Sequence, residues 1–413
     1  MIAADRPSPA PAKLLAIDAE GQIRHKRRSD LAMLFDAGDL IVANDAATLP
    51  ASLSGTHQAS GKPVEVRLAA WRSSPATRGR GTAEGGGGGG PLHHAAHGPP
   101  PPSQAMWEEP AVALPWLADP TRFVALVFGA GDYRTPTEHR PPPPLIEPGD
   151  RLALGPLVAT IANVLGHPRL VELCFAGGGD AVLAAIARHG RPVQYAHVHA
   201  PLALWDVWTR IAARPIAFEP PSAGLALDWR TLAAWRRRGV GFATLTHAAG
   251  LSSTGDPALD RRLPFDEPYR IPASTAVAIA RTRSRGGRIV AIGTTVVRAL
   301  ESAAGADGGI EAGDGVATGR ITRATRLRVV DAVLTGVHQP GEGHYELLGA
   351  FAGDATLDRM AAEAEARFYR AHEFGDSVLI ERQPRAPRRY STAPMIGPYP
   401  PCPGGSLRPS AGA

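Results

Sequence analysis

Gly287-Arg288-Ile289-Val290-Ala291-Ile292-Gly293-Thr294-Thr295-Val296-Val297-Arg298-Ala299-Leu300-Glu301-Ser302 reads as a buried strand, a tight turn and a helix in direct succession. The strand spans 288–292. Gly293 lets the backbone bend sharply, and Thr294 or Thr295 is placed to cap the free amides of the first helical turn. Those amides and the helix dipole favour an anion or an electron-rich ligand atom at this spot. Arg298 has Glu301 three residues on, where the two can pair on the helix surface. Local physics alone reads the block equally well as a capped helix in an α/β core, so the wider chain has to decide.

Outward from this block one phrase recurs: an amphipathic helix, a glycine stop, a short apolar strand, then polar residues. Asp180 caps a helix over 181–188, Gly190 ends it, and 192–198 follow as a strand. Asp228 caps 229–238, Gly239 ends that helix, and 240–245 follow. Ser274 opens a helix that stops at Gly286-Gly287 ahead of 288–292. Near the two ends, 31–35 lead through Gly38-Asp39 into 40–43, and 356–372 lead through Gly375-Asp376 into 377–381. Such caps and stops are helix boundary signals. Their alternation with strands predicts an α/β main domain with a largely parallel sheet, built from 1–54 and 179–381. Asn44-Asp45, His197 with His199, Thr246-His247 and Thr294-Thr295 follow the strands. Ligands bind beyond the carboxyl ends of strands in open sheets, so these residues are the expected lining of a pocket.

The stretch 55–178 has another texture. Segments 64–71, 122–128, 151–154, 157–165 and 170–175 are short, β-branched and partly alternating, with turns such as Glu147-Pro148-Gly149-Asp150 between them. This predicts a small all-β, barrel-like domain inserted into the main one. Within it, 73–110 holds the glycine run 85–90 and prolines 99–102, the composition of a disordered loop. His93, His94 and His97 there are better read as solvated than as metal ligands. Residues 382–413, rich in proline, are expected to be a disordered tail.

Composition narrows the class. With 413 residues and 44% hydrophobic content, the chain can bury two domains. The formal charge of +5 permits a polyanionic partner without requiring one. Nearly all the positive charge is arginine, lysine occurring only at 13, 26 and 62. The two cysteines, Cys174 and Cys402, build neither a disulfide framework nor a thiolate zinc site. No stretch is apolar enough to span a bilayer or to form a signal-peptide core, so a soluble, cytoplasmic protein with no membrane association is expected. Nothing in the sequence points to a protein partner.

In order, the motifs Gly38-Asp39-Leu40-Ile41-Val42-Ala43-Asn44-Asp45, Leu49-Pro50-Ala51, Pro221-Ser222-Ala223-Gly224-Leu225 and the Gly-Thr-Thr block are followed by Val330-Asp331, His338-Gln339-Pro340, Ala350-Phe351-Ala352-Gly353 and Phe374-Gly375-Asp376-Ser377. Together they resemble the S-adenosylmethionine:tRNA ribosyltransferase-isomerase family of queuosine biosynthesis, as a divergent member. The Gly-Thr-Thr block is the most specific single match. The family's architecture, an α/β domain carrying an inserted β-barrel, agrees with the reading above.

The resemblance implies S-adenosylmethionine as a ribosyl donor and tRNA as a partner. The ribose moves to the aminomethyl group of a 7-deazaguanine at the wobble position and becomes an epoxycyclopentanediol, while adenine and methionine leave. No metal is implied. Such chemistry needs a base, a proton donor for adenine, and an anchor for the methionine carboxylate. His338, His247 and Asp45 are the catalytic candidates; Gly293, Thr294, Thr295, Arg298 and Asp376 are the candidates for holding S-adenosylmethionine. The bland alternatives are a surface histidine for His338, a cap plus ion pair for Thr294 to Arg298, and turn residues for Asp45 and Asp376.

The chain also departs from the family. Ala46-Ala47 stand where Thr-Arg is usual, and Ala226-Leu227 follow Leu225 in place of His-Phe. A His-x-Gly-x-Gly-Thr-Phe loop becomes 247–254, and a Pro-Pro-Tyr motif is reduced to 191–195. Two rival readings follow. One is a paralogue using S-adenosylmethionine on another substrate; the other is a catalytically inactive RNA-binding protein.

Overall fold

The computed structural model describes residues 2–4, 12–72 and 119–384. The expected loop at 73–110, with His93, His94 and His97, lies outside the described residues, as do Cys402 and all of the expected tail except 382–384.

From the N-terminus, β1 (Ile2–Ala3), β2 (Lys13–Ile17) and β3 (Ile23–Arg27) lead through a 3-10 turn at Arg28–Met33 into β4 (Leu40–Asn44) and β5 (Ala46–Thr48). Six strands then form a closed barrel: β6 (Ser52–His57), β7 (Pro63–Trp71), β8 (Arg122–Phe128), β9 (Arg151–Leu154), β10 (Leu157–His167) and β11 (Leu170–Phe175). All its pairs are antiparallel, in the order β10-β11-β8-β7-β6-β9. Closure depends on Gly55, since a Cβ there would run into the Ala153 carbonyl of β9. The sequence predicts five of these strands; β6, Ser-Leu-Ser-Gly-Thr-His, alternates too weakly to be found.

The chain then forms α1 (Gly179–His189), α2 (Leu204–Val207), β12 (Arg214–Ala217), α3 (Trp229–Arg237), β13 (Gly241–His247), α4 (Pro257–Asp260), β14 (Glu267–Ile271), α5 (Ala273–Ser284), β15 (Ile289–Ile292) and α6 (Thr294–Ala303). It continues as β16 (Gly313–Ala317), β17 (Ala332–Gly336), α7 (Gly343–Leu348), α8 (Asp354–Ala366), β18 (Arg370–Ala371) and β19 (Ser377–Glu381). Asp228 caps α3 as expected, accepting from the Thr231 amide at 2.6 Å. No strand forms over 192–198; Gln194 instead ties that segment into a loop through Val198 O, Ala200 O and the Leu202 amide.

Nine strands make one sheet in the order β16-β14-β13-β4-β15-β17-β19-β2-β3. Its centre, β13-β4-β15-β17, is parallel, as alternating helices and strands require. Towards the edges the sheet is mixed: β2 returns into β3 by a hairpin, and β14 and β16 pair antiparallel. Alternate residues build two cores. Val42, Leu245, Ala291, Val333 and Val378 pack under α6 and α8 on one face. Ile41, Ala43, Val290, Leu334 and Leu379 pack under the 3-10 turn and α3 on the other. A third core fills the barrel.

Candidate active site

The β15 strand ends on Gly293, whose φ of +95° turns the chain directly into α6. Gly293 is itself the N-cap, so neither threonine caps the helix, and no side chain does. Thr294 and Thr295 occupy the first helical turn and reach sideways. Thr294 Oγ1 is 3.0 Å from His344 Nδ1, and Thr295 Oγ1 accepts from Asn44 Nδ2 at 3.4 Å. The N-terminus of a ten-residue helix therefore opens, uncapped, at the carboxyl end of the parallel strands. Ala223 of the Pro-Ser-Ala-Gly-Leu segment lies against Gly293.

β17 delivers the second group. Thr335 Oγ1 is 3.1 Å from His338 Nε2, and Glu342 Oε2 is 3.4 Å from His338 Nδ1. Burial pushes the Glu342 carboxyl up, but His338 and the Gln339 amide outweigh it and leave the group ionised below its ordinary range. An ionised Glu342 favours the proton on Nδ1, so Nε2 accepts from the Thr335 hydroxyl. His338 stacks on His344 with ring centroids 4.8 Å apart. His344 is pushed down to about 3, by burial first and then by the charge of His338. The sequence reading missed His344, because helix α7 carries no cap signal and its Gly-Glu-Gly-His opening looks like loop.

A second polar file borders this one. Tyr195 donates to Glu219 and to Ser253 O (3.1 Å), and its ring stacks on His197. His197 stacks on His372 at 4.6 Å and its Nε2 is 3.3 Å from Glu373. The His372 amide donates to Val337 O at 3.3 Å, next to His338, which joins the two files. Burial first, and then the neighbouring Glu373, hold the Glu219 carboxyl above its ordinary range, against the pull of Ser252 and Tyr195.

The remaining expected residues are turned inward. Arg298 does not pair with Glu301, which accepts the amides of Arg328, Val329 and Val330. The Arg298 guanidinium instead binds Glu267 and the carbonyls of Phe265, Ala317 and Gly319, at 3.1–3.3 Å for the three carbonyls. Asp376 accepts from the Lys13 and Arg370 amides at 2.7 and 2.8 Å and is buried. His247 is 0% exposed, and its Nε2 is 3.4 Å from Glu267 Oε2 without hydrogen-bonding geometry. Burial and then Arg298 push it well below the ordinary histidine range, so it is neutral. Asp45 lies between β4 and β5, where Thr246 Oγ1 donates to it at 2.6 Å. Burial raises its carboxyl.

Among the described residues no group of three or more His, Cys, Asp or Glu is arranged to hold a metal ion. No helix among them is long and apolar enough to cross a membrane.

A family model described as a queuosine biosynthesis protein matches residues 2–85 and 137–380. The S-adenosylmethionine:tRNA ribosyltransferase-isomerase of Thiobacillus denitrificans is 40% identical over 178 residues, 42% of this chain and 51% of that protein; this match spans about half the relative's length. The protein of that name from Gloeobacter violaceus is 30% identical over 386 residues, 89% of this chain and 88% of its own. The crystal structure of an S-adenosylmethionine tRNA ribosyltransferase from Thermotoga maritima is similar over 92% of this chain and 96% of that one, at 21% identity and a TM-score of 0.43.

Proposed function

Because the chain belongs to the queuosine biosynthesis protein family, we propose that it is an S-adenosylmethionine-dependent tRNA ribosyltransferase-isomerase. It transfers and rearranges the ribosyl group of S-adenosylmethionine onto 7-aminomethyl-7-deazaguanine in tRNA, and adenine and methionine depart. The observation that carries the site assignment is the uncapped start of α6 beside the stacked His338–His344 pair. The methionine carboxylate takes the free amides of Thr294 and Thr295, where partial positive charge is fixed in place. Gly293 lets the ligand approach the backbone closely.

His338 serves as the base. Glu342 holds the proton on Nδ1 and stabilises the imidazolium once Nε2 has taken a proton, and Thr335 orients the ring. The neutral His344 keeps Thr294 in place and adds no competing positive charge. Arg298 and Asp376 act as positioning residues, their bonds fixing α6 to β14 and the start of β2, while the buried neutral His247 packs beside Glu267. Asp45, between β4 and β5, is held by Thr246.

Ala46-Ala47, fully buried in β5 where the family usually carries Thr-Arg, favour a second reading in which S-adenosylmethionine is used on another acceptor. One assay separates the two. The chain, incubated with S-adenosylmethionine and tRNA bearing the aminomethyl deazaguanine, should release adenine and methionine in equal amounts. Binding of S-adenosylmethionine by calorimetry with no adenine released would overturn the tRNA ribosyltransferase-isomerase reading.

A further inference from the structure

The outermost strand of the sheet, β3, reads Ile-Arg-His-Lys-Arg and continues into Arg28. Between it and the end of α8 lies a cleft of about 600 Å³, lined by Lys13, His25, Lys26, Arg27, Arg367 and Tyr369, with Asp30 as the one carboxylate of its lining; His25 is held by Tyr369 and lies 3.2 Å from Glu363. That carboxylate is occupied by the Arg27 amide at 3.0 Å. Lys13 Nζ donates to the carbonyls of Arg367 and Phe368, at 2.6 and 3.0 Å, and has no acidic partner among the described residues. Lys26 and Arg27 form no ion pair among the described residues either, whereas Arg367 pairs with Glu363 at 3.2 Å. Three cations with no ion-pair partner among the described residues therefore line one cleft against the single carboxylate of Asp30. A surface loses little by scattering such charges, and gathering them is repulsive unless an anion is received.

At the rim, Phe368 is 78% exposed and held at a φ of +55°. A non-glycine residue in the left-handed region is uncommon, and here it turns an aromatic ring into solvent. Cations that hold a backbone beside an aromatic that stacks on a base are the working parts of a single-stranded nucleic-acid site.

The placement suits the substrate. Lys13 pairs with Arg27 in the β2–β3 register, and its amide is bound by Asp376, which precedes β19 at the end of the sheet where Ser377 pairs with Gly336. The cleft is thus at the same end of the sheet as His338. Four strand steps separate β15 from β3, on the order of 19 Å at about 4.8 Å each. A small acceptor in the site would not reach so far, but the flanking nucleotides of a tRNA do.

We propose that the β3 cleft is an RNA-contact surface: Lys13, Lys26 and Arg27 bind phosphates of nucleotides flanking the modified one, and Phe368 stacks on a base. This rests on the reading of tRNA as substrate. The test uses the full chain and tRNA bearing the aminomethyl deazaguanine, with affinity measured by fluorescence anisotropy across a salt series. K26E/R27E should weaken binding about tenfold or more and flatten the slope of log affinity against log salt by about 1.4 to 1.8, as two lost phosphate contacts require. Phe368→Ala should weaken binding about fivefold or more with the slope unchanged. Affinity for S-adenosylmethionine should stay within about twofold in both, since neither variant touches α6. Wild-type affinity and slope in K26E/R27E would overturn this surface and leave the tRNA reading standing. Failure of the unaltered chain to bind the tRNA at all would overturn both.

Discussion

His344 links burial to pH. Its ring is held by Thr294 and stacked on His338, and burial pushes its pKa down to about 3. In the unfolded chain the same group titrates near 6.5. Between those values the unfolded state binds the extra proton, so stability is fully present above about pH 6.5 and is lost as pH falls towards 3. The buried His247 is shifted in the same direction. Each histidine adds at most about 1.4 kcal/mol per pH unit to that slope. Urea unfolding at several pH values between 4.5 and about 7 should show the slope, and His344→Gln should reduce it by the share of one proton. An unchanged slope in His344→Gln would mean that His344 is protonated in the folded protein. The histidine was not legible in the sequence because its significance comes from a threonine on another helix, brought there by the fold.

At the scale of the element, α6 shows what local pattern can and cannot give. The strand–glycine–threonine succession identified its start, because the turn needs a left-handed residue that only glycine supplies freely. The same pattern paired Arg298 with Glu301 and assigned Thr294 and Thr295 to capping, and in both cases a tertiary partner won. Glu301 accepts three consecutive amides from 328–330, worth more than one exposed ion pair. Arg298, 6% exposed, binds Glu267 of β14 and the carbonyls at either side of the β14–β16 pair. Removing Arg298 leaves Glu267 buried with its charge uncompensated except through the Gly250 amide. Arg298→Met should therefore cost about 3–5 kcal/mol, and adding Glu267→Gln should return part of it. Denaturant titration of the two single variants and the double gives the coupling. Additive losses would mean that the pair does not hold the helix to the sheet.

For the whole molecule, the architecture was largely readable from periodicity, while the points of closure were not. Five barrel strands were predicted to within a few residues because buried β-branched runs between Pro/Gly turns admit little else. The sixth, β6, carries two serines and a glycine, and closes the barrel through backbone approach rather than side-chain burial. Of the strands that make the sheet mixed, only β3 returns on its partner by a hairpin; β14 and β16 pair antiparallel across α5, β15 and α6, a direction that helix–strand alternation does not report. The topology makes one more outcome testable. β7 and β8 are antiparallel neighbours whose ends meet, Trp71 opposite Phe123 and the Arg72 amide bonded to Arg122 O at 3.3 Å. The chain leaving β7 and returning to β8 thus spans only a hairpin gap, whatever its length. Replacing residues 74–117 with a short Gly/Ser turn should preserve the barrel, because the two ends already stand at hairpin distance. Closing a shorter loop also costs less entropy, about 0.6 kcal/mol for each halving, so stability should hold or rise. Thermal unfolding and S-adenosylmethionine calorimetry of the shortened chain check this. A lower midpoint would show that residues 74–117 contribute to the fold, and an unchanged midpoint with weakened ligand binding would place their contribution at the active site.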